Sequence, residues 1–156
     1  MSIRPATLDD VPSMIVLADI KRTEYERFAP TFWRKAADGA EQQAAYFTSL
    51  LQRPEVIALV YEEVDGLVGF VIATITQAPP VYDPGGPVCV IDDFTVATAN
   101  DWATIGASLL RAIRTRAHAR GVTLAVVVCG HLDEPKRAML QANDFAIASE
   151  WYVNPL

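Results

Sequence analysis

The sequence predicts an α/β (α+β) fold, one mixed sheet with helices packed on it, in the order β-α-α-β-β-β-α-β-α-β. Three observations carry that expectation. Two runs rich in β-branched residues, Val56–Val64 and Leu67–Thr76, flank Asp65-Gly66, a dipeptide that supplies the positive φ angles of a tight primed hairpin turn. Further on, the run Val88–Val96, the helical face Ile105, Leu109, Ile113 and Ala117, and the run Val122–Cys129 follow one another. That succession reads as a strand–helix–strand crossover with a parallel pair. Finally, 156 residues with 51% hydrophobic and 21% charged content have the proportions of one globular domain. A chain of that size buries about 70% of its unfolded surface and needs neither disulfide nor metal to fold.

Each element has a local reason. Ile3-Arg4-Pro5-Ala6 is a short extended start, and Thr7 with Asp10 three residues on forms a capping box. Val11, Met14, Ile15, Leu17 and Ala18 then recur at helical spacing, predicting a helix to about Lys21. Asp38-Gly39 opens a second helix whose Ala44, Phe47, Leu50 and Leu51 share a face, and Pro54 limits it. After the hairpin, Gln77–Pro87 carries four prolines and two glycines and is a loop. The helix after the third run stops at Gly121. Asp133, followed by Glu134 and Pro135, starts the last helix, which ends near Asn143-Asp144. Phe145–Val153 is expected as a final strand. No repeat or linker interrupts the chain, so residues 1–156 form a single domain.

Charge and special residues narrow the function classes. Thirteen basic against 19 acidic residues give a net charge of −6, which disfavours nucleic acid and anionic membrane as partners. The runs Leu67–Ala73 and Leu124–Cys129 are too short to span a bilayer, and the N-terminus lacks the apolar core of a secretory signal. Cys89 and Cys129 sit inside apolar runs and read as reduced, buried thiols of a cytoplasmic protein. Two cysteines and two histidines give no zinc-ligand spacing, so no metal is expected.

The stretch Ile91-Asp92-Asp93-Phe94-Thr95-Val96, its loop, and Ile105-Gly106-Ala107-Ser108-Leu109-Leu110 lead from a strand into a helix start. Unpaired backbone N–H groups and the positive helix end make such a place suited to phosphate. With the IRPATLDDV start, the VDGLVGFVIA hairpin and the last helix before Phe145, the chain resembles the GNAT superfamily of acyl-CoA-dependent N-acyltransferases along nearly its whole length. The resemblance implies acetyl-CoA (coenzyme A) as co-substrate. It further implies direct attack of a primary amine, on a small molecule or peptide, within a ternary complex. Phe94, Thr95, Val96, Trp102, Ala103, Thr104, Ile105, Gly106 and Ala107 then hold the coenzyme. Against the family's Arg/Gln-x-x-Gly-x-Gly/Ala loop, Asp101-Trp102-Ala103-Thr104-Ile105-Gly106 keeps only the last glycine.

An acidic residue at this strand position takes the acceptor's proton in many members. That implies Asp92 as general base, sharing a face with Phe94 and Val96, while alternation sends Asp93 to the other face. Equally, either carboxylate binds a neighbouring arginine or caps a loop. The family's tyrosine acid falls on Leu140, which has no proton to give and leaves water or His131. Arg111, Arg114, Arg116, His118 and Arg120 form either a solvated helix face or a contact to the coenzyme's 3′-phosphate. Tyr25, Phe28 and Tyr82 are expected around the acceptor, although Phe28, Phe32 and Trp33 are equally readable as core. The departures at Asp101, Thr104 and Leu140 support a rival: an acyl-CoA-binding or interaction module that keeps the fold without turnover. An uncovered last strand further suggests a homodimer.

Overall fold

A Val64-Asp65 turn joins β2 (Val56–Glu63) to β3 (Gly66–Thr76) in antiparallel register; only Gly66 takes a positive φ, +126°, so the turn is not of the primed type expected. A computed structural model describes all 156 residues. β1 (Ser2–Pro5) lies antiparallel on the free edge of β2. On the other side β3 pairs with β4 (Val88–Ile91) and, further along, with β5 (Phe94–Val96). β6 (Leu124–Val127) runs parallel to β4 and completes the order β1-β2-β3-β4-β6. The connection between β4/β5 and β6 is α3 (Ile105–Ala119), which makes this the expected crossover.

Alternate residues of β3 feed two cores. Phe70 and Ile72 meet Met14 and Leu17 of α1 (Val11–Phe28) and Phe47 and Leu50 of α2 (Gly39–Leu50). Val71 and Ala73 meet Leu109 and Ile113 of α3 and Met139 of α4 (Glu134–Ala142). The Thr7–Asp10 box forms as expected, and Arg4 closes it with bonds of 2.7 and 2.8 Å to the Asp10 carboxylate. No helix is long and apolar enough to cross a membrane. Cys89 and Cys129 are both free thiols.

Three elements differ from expectation. α1 continues past Lys21 to Phe28, because the polar ends of Lys21 and Tyr25 find partners elsewhere in the fold. The run Val88–Val96 is not one strand. Between the pairs Val71–Phe94 and Thr74–Val90, β3 advances three residues and its partner four, a β-bulge at Asp92-Asp93. The expected strand Phe145–Val153 does not form: no backbone hydrogen bond extends beyond Phe145 N–H to the Leu140 carbonyl. A strand exists only with a neighbour to bond to, and this segment meets none within its own chain.

Candidate functional site

The bulge creates a splay in the sheet. β4 and β6 stay paired to Ile91–Val127, and the last bond runs from Val128 N–H to the Ile91 carbonyl at 2.9 Å. Beyond it β5 follows β3, while the chain after β6 turns away toward α4. The Asp93 carbonyl and the Ala97 N–H bond back to β3, at 2.8 Å each. Antiparallel alternation therefore turns the backbone groups of Phe94 and Val96 into the gap.

Side chains of α1 and α4 fill that gap. Lys136, 2% exposed, donates from Nζ to the Phe94 carbonyl at 3.2 Å. Its ammonium lies 5.3 Å from the ring centres of both Phe94 and Trp102. Asp133, 1% exposed, caps α4 and accepts the Tyr25 hydroxyl at 2.7 Å, while Lys21 Nζ pairs with the same carboxylate. The Tyr25 oxygen in turn accepts the Gly130 N–H at 3.0 Å. Burial pulls the Lys136 amine down to about 8; burial and the Asp133 charge push the Tyr25 phenol far above its ordinary value. What remains open is a cavity of about 30 Å³ among Lys21, Thr95, Val96, Thr98, Trp102 and Asp133.

The loop after β5 is likewise satisfied from within. Asp101 accepts the Thr98 N–H at 2.9 Å and the Thr98 hydroxyl at 2.7 Å, capping a 3-10 turn over Ala99–Ala103. That turn presents Trp102 to the core, edge-on to Phe94 at 4.9 Å. A Cβ on Gly106 would stand 2.6 Å from Trp102 Cε3, so the glycine makes room for an indole.

The Lys136 and Trp102 side chains lie in the splay, where the resemblance puts the coenzyme arm. Asp101, at a position where the family's loop carries a donor side chain, turns its carboxylate onto Thr98. Of the residues expected on the coenzyme, Phe94, Thr95, Val96, Trp102, Ile105 and Gly106 are buried. Ala107 is half-buried, and Ala103 and Thr104 are exposed.

The acidic pair is resolved by the bulge. Asp92 is exposed and makes no hydrogen bond. Asp93 is the sequestered one: its carboxylate accepts Gln43 Nε2 at 3.1 Å, and burial, then the Asp92 charge, raise it to about 6. Gln43 Oε1 and the Nε and Nη1 of Arg22 are buried without partners. These groups lie beside Asp93, between α1, α2 and the bulge.

The remaining expected residues scatter. His131 is exposed, and only its carbonyl is engaged, by Arg137 at 2.7 Å. Tyr82 is 72% exposed on its loop. Tyr25 and Phe28 do lie together, 5.6 Å between ring centres, but the Tyr25 hydroxyl is committed to Asp133. Arg114 and Arg120 tie α3 to the Asn143 and Pro54 carbonyls. Sequence reasoning missed Lys21, Lys136 and the tertiary part of Asp133. One signal was present: Lys136 shares the helical stripe of Met139 and Leu140, an odd place for a lysine.

No protein-family model and no curated protein matches the chain. Solved structures match its fold. The tetramutant of the BH1408 protein from Bacillus halodurans gives a TM-score of 0.85 at 17% identity, over 100% of both chains. A predicted acetyltransferase with acetyl-CoA from Clostridium acetobutylicum gives 0.73 at 16% identity, over 99% of this chain and 95% of that one. The aminoglycoside 6'-N-acetyltransferase AAC(6')-Ih from Acinetobacter baumannii gives 0.73 at 13%, over 99% and 97%. With its bulged, splayed mixed sheet between two pairs of helices, this chain has the fold of the GNAT acetyltransferases.

Proposed function

We propose that this chain is a GNAT-fold interaction module whose coenzyme slot is closed by its own side chains and which does not turn over acetyl-CoA. The observation that carries this reading is Lys136, fully buried in the splay on the Phe94 carbonyl. A coenzyme arm has to displace it and separate Asp133 from Lys21 and Tyr25. Breaking one buried ion pair costs about 3–5 kcal/mol, a loss of roughly two to four orders of magnitude in affinity. The buried, unpaired polar atoms of Gln43 and Arg22 beside Asp93 support a polar partner, for which we take an amine-bearing small molecule or peptide. The net charge of −6 agrees with such a partner and with a cytoplasmic setting free of nucleic acid.

A second reading is favoured by one observation, the half-buried Asp93 carboxylate bonded to Gln43 and raised to about 6. A carboxylate so placed can take a proton from an acceptor ammonium, as an acyl-CoA N-acetyltransferase whose α4 moves aside would require. Calorimetry with acetyl-CoA, together with an amine panel read by free-thiol release, separates the two. The module reading expects neither binding heat nor thiol from the wild type, and measurable binding once Lys136→Ala opens the slot. Thiol release by the wild type that is lost in Asp93→Asn and kept in Asp92→Asn overturns it in favour of the enzyme.

A further inference from the structure

The arginines that cluster in the second half of α3 have different ends. Arg114 reaches the Asn143 carbonyl at 3.3 Å, and its guanidinium lies 5.4 Å from the Phe145 ring centre, which ties α3 to the chain after α4. Arg120 donates Nη2 to the Pro54 carbonyl. The side chains of Arg111 and Arg116 are exposed and make neither a hydrogen bond nor an ion pair. Arg116 and Arg120, four residues apart, share one side of the helix. Beside that side lies a cleft of about 290 Å³. Cations near a helix C-terminus answer the dipole, which accounts for their place on α3 but not for the cavity next to them.

Tertiary structure builds the cleft. Leu51, just past α2, and Val56, Ile57 and Ala58, at the start of β2, give it an apolar floor. Ile57 is buried and the other three are half-buried. Arg116 and Arg120 are its charged members, and no acidic side chain lines it. It opens where β1 ends. The Ala6 N–H makes the last bond to β2, at the Ala58 carbonyl, and Val56 and Ile57 have no strand neighbour on that side. The splay, by contrast, keeps about 30 Å³. Arg116 is three turns along α3 from Ile105, about 16 Å, so the cleft is separate from the place where the resemblance puts the coenzyme.

We propose that this cleft is a second binding site, which takes a small organic carboxylate with an apolar body. The body rests on Leu51, Val56 and Ile57. The carboxylate meets Arg116 and the Nε and Nη1 of Arg120, which are not spent on Pro54. A planar guanidinium matches a planar carboxylate and gives paired, charge-assisted hydrogen bonds. The volume equals that of the smallest ligand pockets, about 300 Å³, and suits a compact molecule. A bare anion uses the arginines and leaves the floor wet; a neutral apolar molecule uses the floor and leaves the arginines unpaired. Only a carboxylate on an apolar body uses both. The site does not depend on whether the splay admits a coenzyme.

Titration of the full chain with acetate, butyrate and hexanoate, followed by amide NMR shifts, tests this. The amides of Ile57 and Ala58 are expected to move, and affinity to rise about fourfold for each CH₂ buried. Hexanol, which has the body without the charge, and inorganic phosphate, which has charge without the body, are expected to bind about tenfold more weakly than hexanoate, or worse. Arg116→Glu is expected to weaken hexanoate by about tenfold or more. Arg111→Glu makes the same charge change on the same helix outside the cleft and is expected to leave binding unchanged. Both side chains are exposed and unpartnered, so both variants keep the fold. Absence of binding, shifts confined to other residues, affinity that ignores chain length, or equal loss in the two variants overturns the proposal.

Discussion

Replacing Lys136 by methionine tests the filled splay by its energetics. Methionine keeps the length and apolar stem and deletes the ammonium. The buried amine is held at about 8 against an ordinary 10.5, so the folded state resists the proton. Its burial therefore costs stability fully at neutral pH, and that cost disappears as pH rises from about 8 to 10.5. The gap corresponds to about 3 kcal/mol. Against it stands the lost bond to the Phe94 carbonyl, which leaves a buried acceptor unsatisfied at about 1–3 kcal/mol. At pH 7 the two effects nearly cancel, and Lys136→Met is expected to match or exceed the wild type by up to about 2 kcal/mol. At pH 10.5 only the lost bond remains, and the variant is expected to be weaker by about 1–3 kcal/mol. The diagnostic is the change between the two pH values, about 3 kcal/mol, in urea denaturation at unchanged m-value. Trp102, 5.3 Å from the amine, provides the fluorescence signal. A difference between variant and wild type that stays constant across this pH range would refute the buried amine.

Asp93→Asn keeps the Gln43 contact and removes a carboxylate raised to about 6 from an ordinary 3.8. A raised acid costs the fold increasingly as pH climbs through that window. The variant is therefore expected to gain up to about 3 kcal/mol at pH 8 and nothing near pH 3.5, read by thermal melts at both values; an equal gain at both refutes the assignment. Gly106→Ala places a Cβ 2.6 Å from Trp102 Cε3. Helix propensity favours alanine by about 1 kcal/mol, but overpacking against a buried indole costs about 1–3 kcal/mol. Net destabilisation with a shifted tryptophan emission is expected, and a stabilised variant with unchanged emission would mean the indole yields freely.

The elements legible in the sequence were those whose causes are local. Asp65-Gly66 marked its hairpin because a glycine beside the turn admits a positive φ, here +126° at Gly66. Asp133 and Pro135 marked the start of α4 because a cap and a first-turn proline act within one turn of helix. The apolar face of α3 set its length by spacing alone. The candidate site was less legible, since each of its features depends on a distant neighbour. Alternation put the two carboxylates on opposite faces without choosing between them. The bulge that half-buries Asp93 and exposes Asp92 comes from a register between β3 and its partner.

Gly106 carried the pattern of a phosphate-binding glycine, and only the packed fold places Trp102 on its bare face. The segment Phe145–Val153 has the composition of a strand, but pairing is a property of two segments, and its own chain supplies no second one. Sequence by itself determined the mixed sheet, its crossover and the helix starts, because backbone sterics, caps and hydrophobic period act over a few residues. Tertiary structure alone decided that Lys136 and Trp102 occupy the splay. The burial of a long polar side chain is set by whether a carbonyl, a carboxylate and two rings from other elements converge to receive it.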